Sequence, residues 1–529
     1  MKKKWMKLPA AALTAVLVFT PLTALAEDKA QQEKETLTWK EKIQQYQAAP
    51  PQYRFDDDAE AAKPEKVTVR FEKSRDGIYV NPDAKITNEA TLMITGDLMC
   101  QRAQQEAAFT SSGEAFTDYD DFNTIQSATQ AELEAAKEAI LQGGTAAAGV
   151  CLPELDFGMM PQPEGTWDFD GSFRYVRDIL KKGDLVIGNL ETMLSQSSPL
   201  TMQCRRLEDK PYLNSPAEFL DAVDYAGYDL LTLANNHNCD VGVQGLLETL
   251  ENIDQYGFMR TGMFAGTEEE RYLVVDVNGI KVGIVAYATY FNTKEDNFTL
   301  AGQDVLLNKF DIDTARRDIK AAKKAGAEFV ITFMHWGKEN THETTSKQHR
   351  YARYAARAGA DYIVGSHPHA LQPYDIIELS NGREIPVIYS MGNFLSCMSL
   401  DVNNDTLILQ LNLKKDADGK VYVSSHRLYP CTIVKDLETT GSDGKTQTDD
   451  YVITPHMEKY APVLPGRSFA SWKDISFLNG SLNRILPVYD GQILLPVPYD
   501  PYGQDNNDSR FTASYVLNRF HWLLENMPV

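Results

Sequence analysis

Positive charge is scarce in this chain: 52 Lys and Arg stand against 74 Asp and Glu, a formal net charge of -22 over 529 residues. That deficit excludes nucleic acid as a general partner, because polyphosphate binding gains from counterion release only where a basic surface is present. Cysteine is scarce too, and six in a chain of this length make no disulfide framework. Cys100, Cys151 and Cys204 are left as residues able to pair outside a cell, Cys239 and Cys397 fall in or beside polar motifs and read as packing residues, and no spacing resembles a zinc site. No internal repeat is present, and no long apolar run follows the first one, so nothing downstream of the N-terminus reads as a membrane span. What remains is an ordinary globular composition, 43% apolar with 10% aromatics, which argues against wholesale disorder.

The chain opens on Lys2, Lys3, Lys4 and Lys7, runs through an apolar stretch that includes Val16 and Phe19, and reaches Ala24-Leu25-Ala26 before Glu27. Basic, apolar and small-residue regions in that order predict a signal peptide over 1–26 with an A-x-A cleavage site. Left uncut, an apolar run of about 18 residues sits at the lower limit for a membrane anchor. Either form predicts a secreted protein or one held on the extracellular face of the membrane. Residues 27–85 are charged, Gln-rich and broken by Pro50-Pro51 and Asp56-Asp57-Asp58, which predicts a spacer with little core. From Ala90 onward, apolar runs expected to be strands (Thr91–Ile94, Leu185–Ile187, Leu230–Leu233, Tyr272–Val277, Val282–Ala286, Phe329–Phe333, Tyr362–Val364, Val387–Tyr389) alternate with helical spacing over Phe173–Lys182, Pro216–Ala226, Val243–Tyr256, Asp311–Ala325 and Thr345–Ala358. This is the pattern of an α/β domain, placed over 86–430. An insertion at 101–165, with one expected helix near Gln130–Leu141, follows the first strand, and an Asp-, Gly-, Pro- and aromatic-rich C-terminal extension covers 431–529.

Polar residues gather where the expected strands end, and the carboxyl edge of a sheet is where open α/β folds build their sites. His335 lies in Phe333-Met334-His335-Trp336-Gly337, and His367 and His369 lie in Gly365-Ser366-His367-Pro368-His369. A single strand-end His is most often a half-buried hydrogen-bonding residue. Two imidazoles separated by a stiffening Pro are different: they can face a common point and bind borderline metals. Ile94-Thr95-Gly96-Asp97 and Gly188-Asn189-Leu190-Glu191 add carboxylates, and Ala234-Asn235-Asn236-His237-Asn238-Cys239-Asp240 adds amides, an imidazole and a third carboxylate. Singly, each is a common turn or helix cap. Five such ends in one α/β pattern point to a metal centre.

In order and wording, Gly96-Asp97-Leu98-Met99, Asn189-Leu190-Glu191, Ala234-Asn235-Asn236-His237 with Asp240 and Gly242, His335-Trp336-Gly337 with Glu339, Gly365-Ser366-His367-Pro368-His369 and Tyr389-Ser390-Met391-Gly392-Asn393-Phe394 resemble the successive blocks of the CapA family of poly-γ-glutamate capsule proteins. That family is related to calcineurin-like metallophosphoesterases. The resemblance therefore implies a four-layer α/β sandwich of two mixed β-sheets flanked by helices, and a cofactor of two divalent ions, Mn, Fe or Zn. By the same resemblance Asp97, Glu191, Asn236, His335, His367 and His369 are metal ligands, with Glu191 between the ions, and His237 is the general acid. Asp240 either orients His237 or caps the helix that follows. Asn235, Glu339 and Arg205 are candidate substrate contacts, Glu339 being equally placed to support an imidazole. Standard phosphoesterases read Asp-x-His in the first block, where Met99 stands here, and carry Asp where Glu191 stands.

Two-metal sites of this kind hold ions ~3.5–4 Å apart, acidify a water and stabilise charge on the attacked centre. Bound cations would also receive an anionic polymer that the net charge of the chain otherwise repels. The expectation is an exported metal-dependent hydrolase or transferase acting on an anionic cell-surface polymer such as poly-γ-glutamate, with membrane proteins of capsule synthesis as further partners. Two alternatives stand beside it: a non-catalytic polymer-binding accessory of capsule export or attachment, which Met99 favours, and a phosphoesterase, which the fold favours.

Overall fold

The computed structural model describes residues 70–112, 162–292 except 205, 208 and 209, and 306–456 except 442 and 443, together with 295, 467–469, 480, 481, 484, 485 and 488. The expected signal peptide, most of the spacer, the helix near Gln130–Leu141 and most of the C-terminal extension lie outside the described residues. Among the described residues no helix is long and apolar enough to cross a membrane.

Sixteen strands make two large sheets. In chain order they are β1 (Glu72–Lys73), β2 (Tyr79–Val80), β3 (Glu89–Leu98), β4 (Leu185–Leu190), β5 (Leu230–Thr232), β6 (Met259–Thr261), β7 (Leu273–Val277) and β8 (Ile280–Ala288). The second half of the chain adds β9 (Phe329–His335), β10 (Tyr362–Ser366), β11 (Leu371–Glu378), β12 (Glu384–Met391), β13 (Asn393–Leu395), β14 (Asp405–Lys415), β15 (Val421–Val434) and β16 (Val452–Pro455). The first sheet runs β1-β2-β7-β8-β9-β10-β12-β11, and the second runs β6-β5-β4-β3-β14-β15-β16 with β13 beside β3. Each has a parallel core, β8-β9-β10-β12 in one and β3-β4-β5-β6 in the other, extended by antiparallel strands. All eight expected strands are present, and the mixed two-sheet α/β class is the one expected.

Alternation along the strands explains the layers. In the first sheet Ile284, Ile331, Val364 and Ile388 share one core with Leu92, Ile94 and Ile187 of the second sheet. Their neighbours Val285, Val330, Ile363 and Val387 face the opposite way, onto Ala315, Ile319 and Ala322 of α5 (Ile312–Lys324) and Ala352, Ala355 and Ala356 of α6 (Ser346–Ala358). A period of two thus splits each strand between two cores, which is why these strands read as continuous apolar runs. Alanines on both helices allow close packing on the sheet. Capping fixes where the helices start: Asp311 accepts from the backbone N–H groups of Asp313 and Thr314, and Thr345 pairs with Gln348 in a capping box. Before them in the chain, α1 (Arg102–Ala108), α2 (Arg177–Leu180), α3 (Phe219–Ala226) and α4 (Gly242–Tyr256) precede β6, and α3 and α4 add Phe219, Val223, Leu246 and Ile253 to the core of the second sheet. The helix expected at Phe173–Lys182 is a 3-10 turn at Asp170–Phe173 followed by the single turn of α2.

Two expected boundaries need correction. Residues 70–85 were assigned to the spacer, yet β1 and β2 extend the edge of the first sheet and Phe71 is buried. Arg70 makes a two-pronged ion pair with the buried Asp229, Nε to Oδ1 at 2.8 Å and Nη2 to Oδ2, while Asp229 also accepts from the Val186 N–H at 2.8 Å. The C-terminal boundary at 431 falls inside β15, and β16 continues the same sheet. Beyond it, Ile485 is in the core and Arg484 grips the buried Asp405 at 2.7 and 2.8 Å. No disulfide forms among the described cysteines.

Burial pushes the Asp229 carboxyl up and the Arg70 guanidinium draws it back, so removing the cation strands a buried carboxylate. Arg70→Ala should therefore cost about 3 kcal/mol in denaturant unfolding. A loss below about 0.5 kcal/mol, the level of a surface pair, would return residue 70 to the spacer.

Candidate metal centre

The carboxyl ends of the two parallel cores converge on one buried point. Asp97 ends β3, Glu191 follows β4, Asn235 to His237 follow β5, His335 ends β9, and His367 and His369 follow β10. Convergence requires backbone to meet backbone: a Cβ on Gly96 would lie 2.0 Å from the carbonyl oxygen of Gly392, and one on Gly365 would lie 2.0 Å from that of Tyr389. The His-Pro-His turn is strained as well as stiff, with φ of 92° at His367 and 52° at His369, a region that β-carbon-bearing residues enter only when surroundings compel it.

Glu191 is the centre of the cluster. It is fully buried, and neither carboxylate oxygen has a hydrogen-bond partner. Around its Oε1 stand His335 Nε2 at 3.6 Å, His369 Nε2 at 3.8 Å and His237 Nε2 at 3.9 Å. Burial first, and then the neighbouring Asp97 charge, hold the Glu191 carboxyl well above the usual carboxylate range in the metal-free chain. Burial likewise holds the His335 and His367 imidazoles well below their ordinary range, with the neighbouring imidazoles adding to it, so both are neutral.

The hydrogen bonds behind the imidazoles decide which nitrogen faces inward. Asn393 donates its amide to Ser396 Oγ at 3.0 Å and to the Asn403 carbonyl at 3.2 Å, which turns its Oδ1 to His369 Nδ1 at 2.7 Å. Nδ1 must then carry the proton, and the lone pair of Nε2 points at the Glu191 carboxylate. Two such acceptors facing each other in a dry pocket call for positive charge between them, a proton on Glu191 in the metal-free chain or a cation in its place. Asn236 places its Oδ1 2.7 Å from His335 Nε2 while its amide donates to Asn292 Oδ1 at 3.1 Å, and His335 Nδ1 meets Ser366 Oγ at 2.8 Å. Asp97 accepts from the Asn189 amide at 2.6 Å and from the His367 N–H at 3.1 Å, with His369 Nδ1 3.8 Å from its Oδ2. Glu191 with His335 and His367, and Asp97 with Glu191 and His369, each bring three ligand atoms within 4.8 Å of one another. A third group, Glu339 with His367 and His369, lies toward the exposed rim; Glu191 belongs to the two buried ones, so the residues there fit a pair of divalent ions that share it.

All six expected ligands are thus brought together, and His237 joins them. Its Nδ1 lies 2.6 Å from Asp240 Oδ2, and that same oxygen accepts from the Leu213 N–H at 2.8 Å. Asp240 orients His237; it does not cap α4, which starts at Gly242 with no side-chain cap. Glu339 is at the rim, its side chain 47% exposed and Oε1 4.0 Å from His367 Nε2. Asn235 differs from expectation. Its amide donates to the carbonyls of Leu190 and Leu233 at 2.8 and 3.1 Å and its oxygen accepts from the His237 N–H at 3.0 Å, so it ties the turn together and has no face for substrate. Arg205 lies outside the described residues, and Arg102 is taken by Glu106 at 2.7 Å. Met99 is buried, its N–H bonded to the Leu395 carbonyl at 2.9 Å.

Five residues near the ligands were not among the expected site residues: Asn189 on Asp97, Ser366 on His335, Asn393 on His369, and Tyr290 and Asn292 beyond the end of β8, where the Tyr290 hydroxyl bonds His367 Nε2. The signal for the last two was the one used elsewhere, polar residues just past an apolar strand.

Residues 91–398 match the family model described as "Bacterial capsule synthesis protein PGA_cap". The chain is similar to the capsule biosynthesis protein CapA of Bacillus anthracis, with 30% identity over 252 residues, 46% of this chain and 58% of that protein. It is similar to the PGA biosynthesis protein CapA of Bacillus subtilis (strain 168) as well, with 30% identity over 277 residues, 50% of this chain and 68% of that protein. The chain thus spans under two thirds of the length of the first of these relatives and just over two thirds of the second. Among solved structures, it is similar to the calcineurin-like phosphoesterase YfkN from Bacillus subtilis at 15% identity and a TM-score of 0.33, covering 65% of this chain and 90% of that one.

A carboxyl whose folded pKa is raised stabilises the fold below its unfolded pKa and loses that contribution as pH climbs through the folded value. The metal-free chain should therefore lose stability as pH rises above the usual carboxylate range, and Glu191→Gln should remove that loss and be the more stable of the two at pH 8. Mn²⁺ should reverse the order, stabilising the wild type and not the variant. Thermal unfolding with and without Mn²⁺ across pH checks this, and a variant less stable than the metal-free wild type at pH 8 would contradict it.

Proposed function

This chain belongs to the bacterial capsule synthesis protein family PGA_cap, and from that premise we propose that it is an exported metal-dependent hydrolase or transferase acting on an anionic cell-surface polymer, poly-γ-glutamate or a close relative. The observation that carries the proposal is the pairing of an unsatisfied buried carboxylate, Glu191, with an imidazole held by a second carboxylate, His237 on Asp240. A pocket that only binds has no use for an imidazole fixed in one tautomer beside the ligands.

Asp97, Glu191, Asn236, His335, His367 and His369 would hold the ions. Divalent ions there supply Lewis acidity to the scissile group and acidify an attacking water. The rest is done by the chain. Asp240 accepts from His237 Nδ1, which leaves Nε2 as the atom that takes up or delivers a proton and stabilises the imidazolium once formed. Asn393 and Ser366 fix the rings of His369 and His335 from behind. Near-complete burial of all six ligands keeps bulk water away and strengthens every charge in the site. Exposed Glu339 marks the solvent side of His367, where a polymer strand would arrive.

The basic, apolar and A-x-A sequence of 1–26 supports export, and the name of the family supports a capsule polymer and the membrane proteins that make it as partners. Purified metal-loaded chain given poly-γ-glutamate should release or transfer fragments. His237→Ala should lower kcat by about 10²–10⁴-fold with metal content unchanged, and Asp240→Asn should lower kcat with little change in KM. Metal bound without polymer turnover would favour the polymer-binding accessory; turnover of a simple phosphate ester alone would favour the phosphoesterase.

A further inference from the structure

We propose that residues 289–292, just after β8, control metal binding, with the Tyr290 hydroxyl as a latch on His367 and Asn292 as the residue that aims Asn236. The proposal rests on the metal centre described above and adds two residues to it. The loop is anchored at its base: Thr289 donates its N–H and hydroxyl to the His335 carbonyl at 3.0 and 3.3 Å, and Phe291 is fully buried. Tyr290 and Asn292 flank that anchor and both reach the ligands.

The Tyr290 hydroxyl is hydrogen-bonded to His367 Nε2, and its ring stands edge-on to the imidazole, with centroids 5.0 Å apart at 82°. The lone pair of Nε2 is the one an ion needs. A phenol proton and an ion cannot share it, so each ion bound at His367 displaces Tyr290. The Tyr290 side chain is half-buried, not sealed in the core, and His367 Nε2 has the exposed Glu339 4.0 Å away. Asn292 acts in the opposite sense. At φ 52°, which Asn tolerates, it accepts the Asn236 amide at 3.1 Å and so leaves Asn236 Oδ1 on the ligand side, 2.7 Å from His335 Nε2. One loop thus opposes the ion at His367 and favours it at Asn236.

The test is calorimetric titration of the metal-stripped full chain with Mn²⁺, for wild type, Tyr290→Phe and Asn292→Ala, each checked for folding by thermal unfolding. Tyr290→Phe should bind about 2- to 10-fold more tightly, the worth of one hydrogen bond. Asn292→Ala should bind more weakly by a similar factor. Mn²⁺ should also produce a tyrosine ultraviolet difference signal in the wild type that Tyr290→Phe lacks. General loosening of the loop would shift both variants the same way and would overturn the proposal, as would Tyr290→Phe affinity equal to or below wild type. If the wild type itself binds no Mn²⁺, the metal centre falls and the latch with it.

Discussion

A carboxylate sealed in the interior with nothing to donate to it is costly unless a positive charge is brought to it. Glu191 is such a group, and the surrounding residues are intelligible as a response to it. His369 is held by Asn393 so that a lone pair, and no proton, faces the carboxylate. His335 and His367 are kept neutral by burial and by the neighbouring imidazoles. Left alone, these groups repel or waste one another; given cations, each becomes a ligand. The metal-free fold is therefore under tension at its centre, and ion binding there would be coupled to stability.

That tension is imposed by topology. Two parallel cores aim their carboxyl ends at the same place, and β13, arriving from the first sheet, lies beside β3 with Asn393 opposite Asp97. Space for this crossing exists because residues 96 and 365 lack a side chain where two backbones touch. The left-handed conformations of His367 and His369 then bend the chain end back over Asp97, whose Oδ2 accepts the His367 N–H. Bracing by the sheets makes such strain affordable, and its concentration here marks the site as clearly as the ligands do.

Legibility followed physics. Strands buried on both faces announce themselves as apolar runs, so all eight expected strands were found. The antiparallel strands β11, β14, β15 and β16 were not marked. β11 contains Pro373, tolerated because the strand is an edge. In β15 Pro430 sits just before its pairing with β16 begins at Cys431. The ligands were legible because chemistry restricts them to Asp, Glu, Asn and His at strand ends. What the pattern did not distinguish was Asn235 from Asn236: adjacent amides in one motif, one spent on the carbonyls of Leu190 and Leu233, the other turned to the site. Nor did it isolate Tyr290 and Asn292, whose part depends on which atoms they meet beyond the strand ends, His367 in the same sheet and Asn236 from the other.

Met99 has a consequence for the two candidate ligand groups that share Glu191. Where the first block of standard phosphoesterases has an imidazole, the Met99 side chain is buried and its backbone ties the end of β3 to Leu395, so the position serves the crossing of strands. The group of Asp97, Glu191 and His369 consequently has two carboxylates and one imidazole, and the group of Glu191, His335 and His367 has one carboxylate and two imidazoles, with the Asn236 amide beside it. Oxygen-rich sets suit harder ions and nitrogen-rich sets suit borderline ones. The two positions are therefore chemically unequal although they share Glu191, and the nitrogen-rich one is the position on which both Tyr290 and Asn292 act.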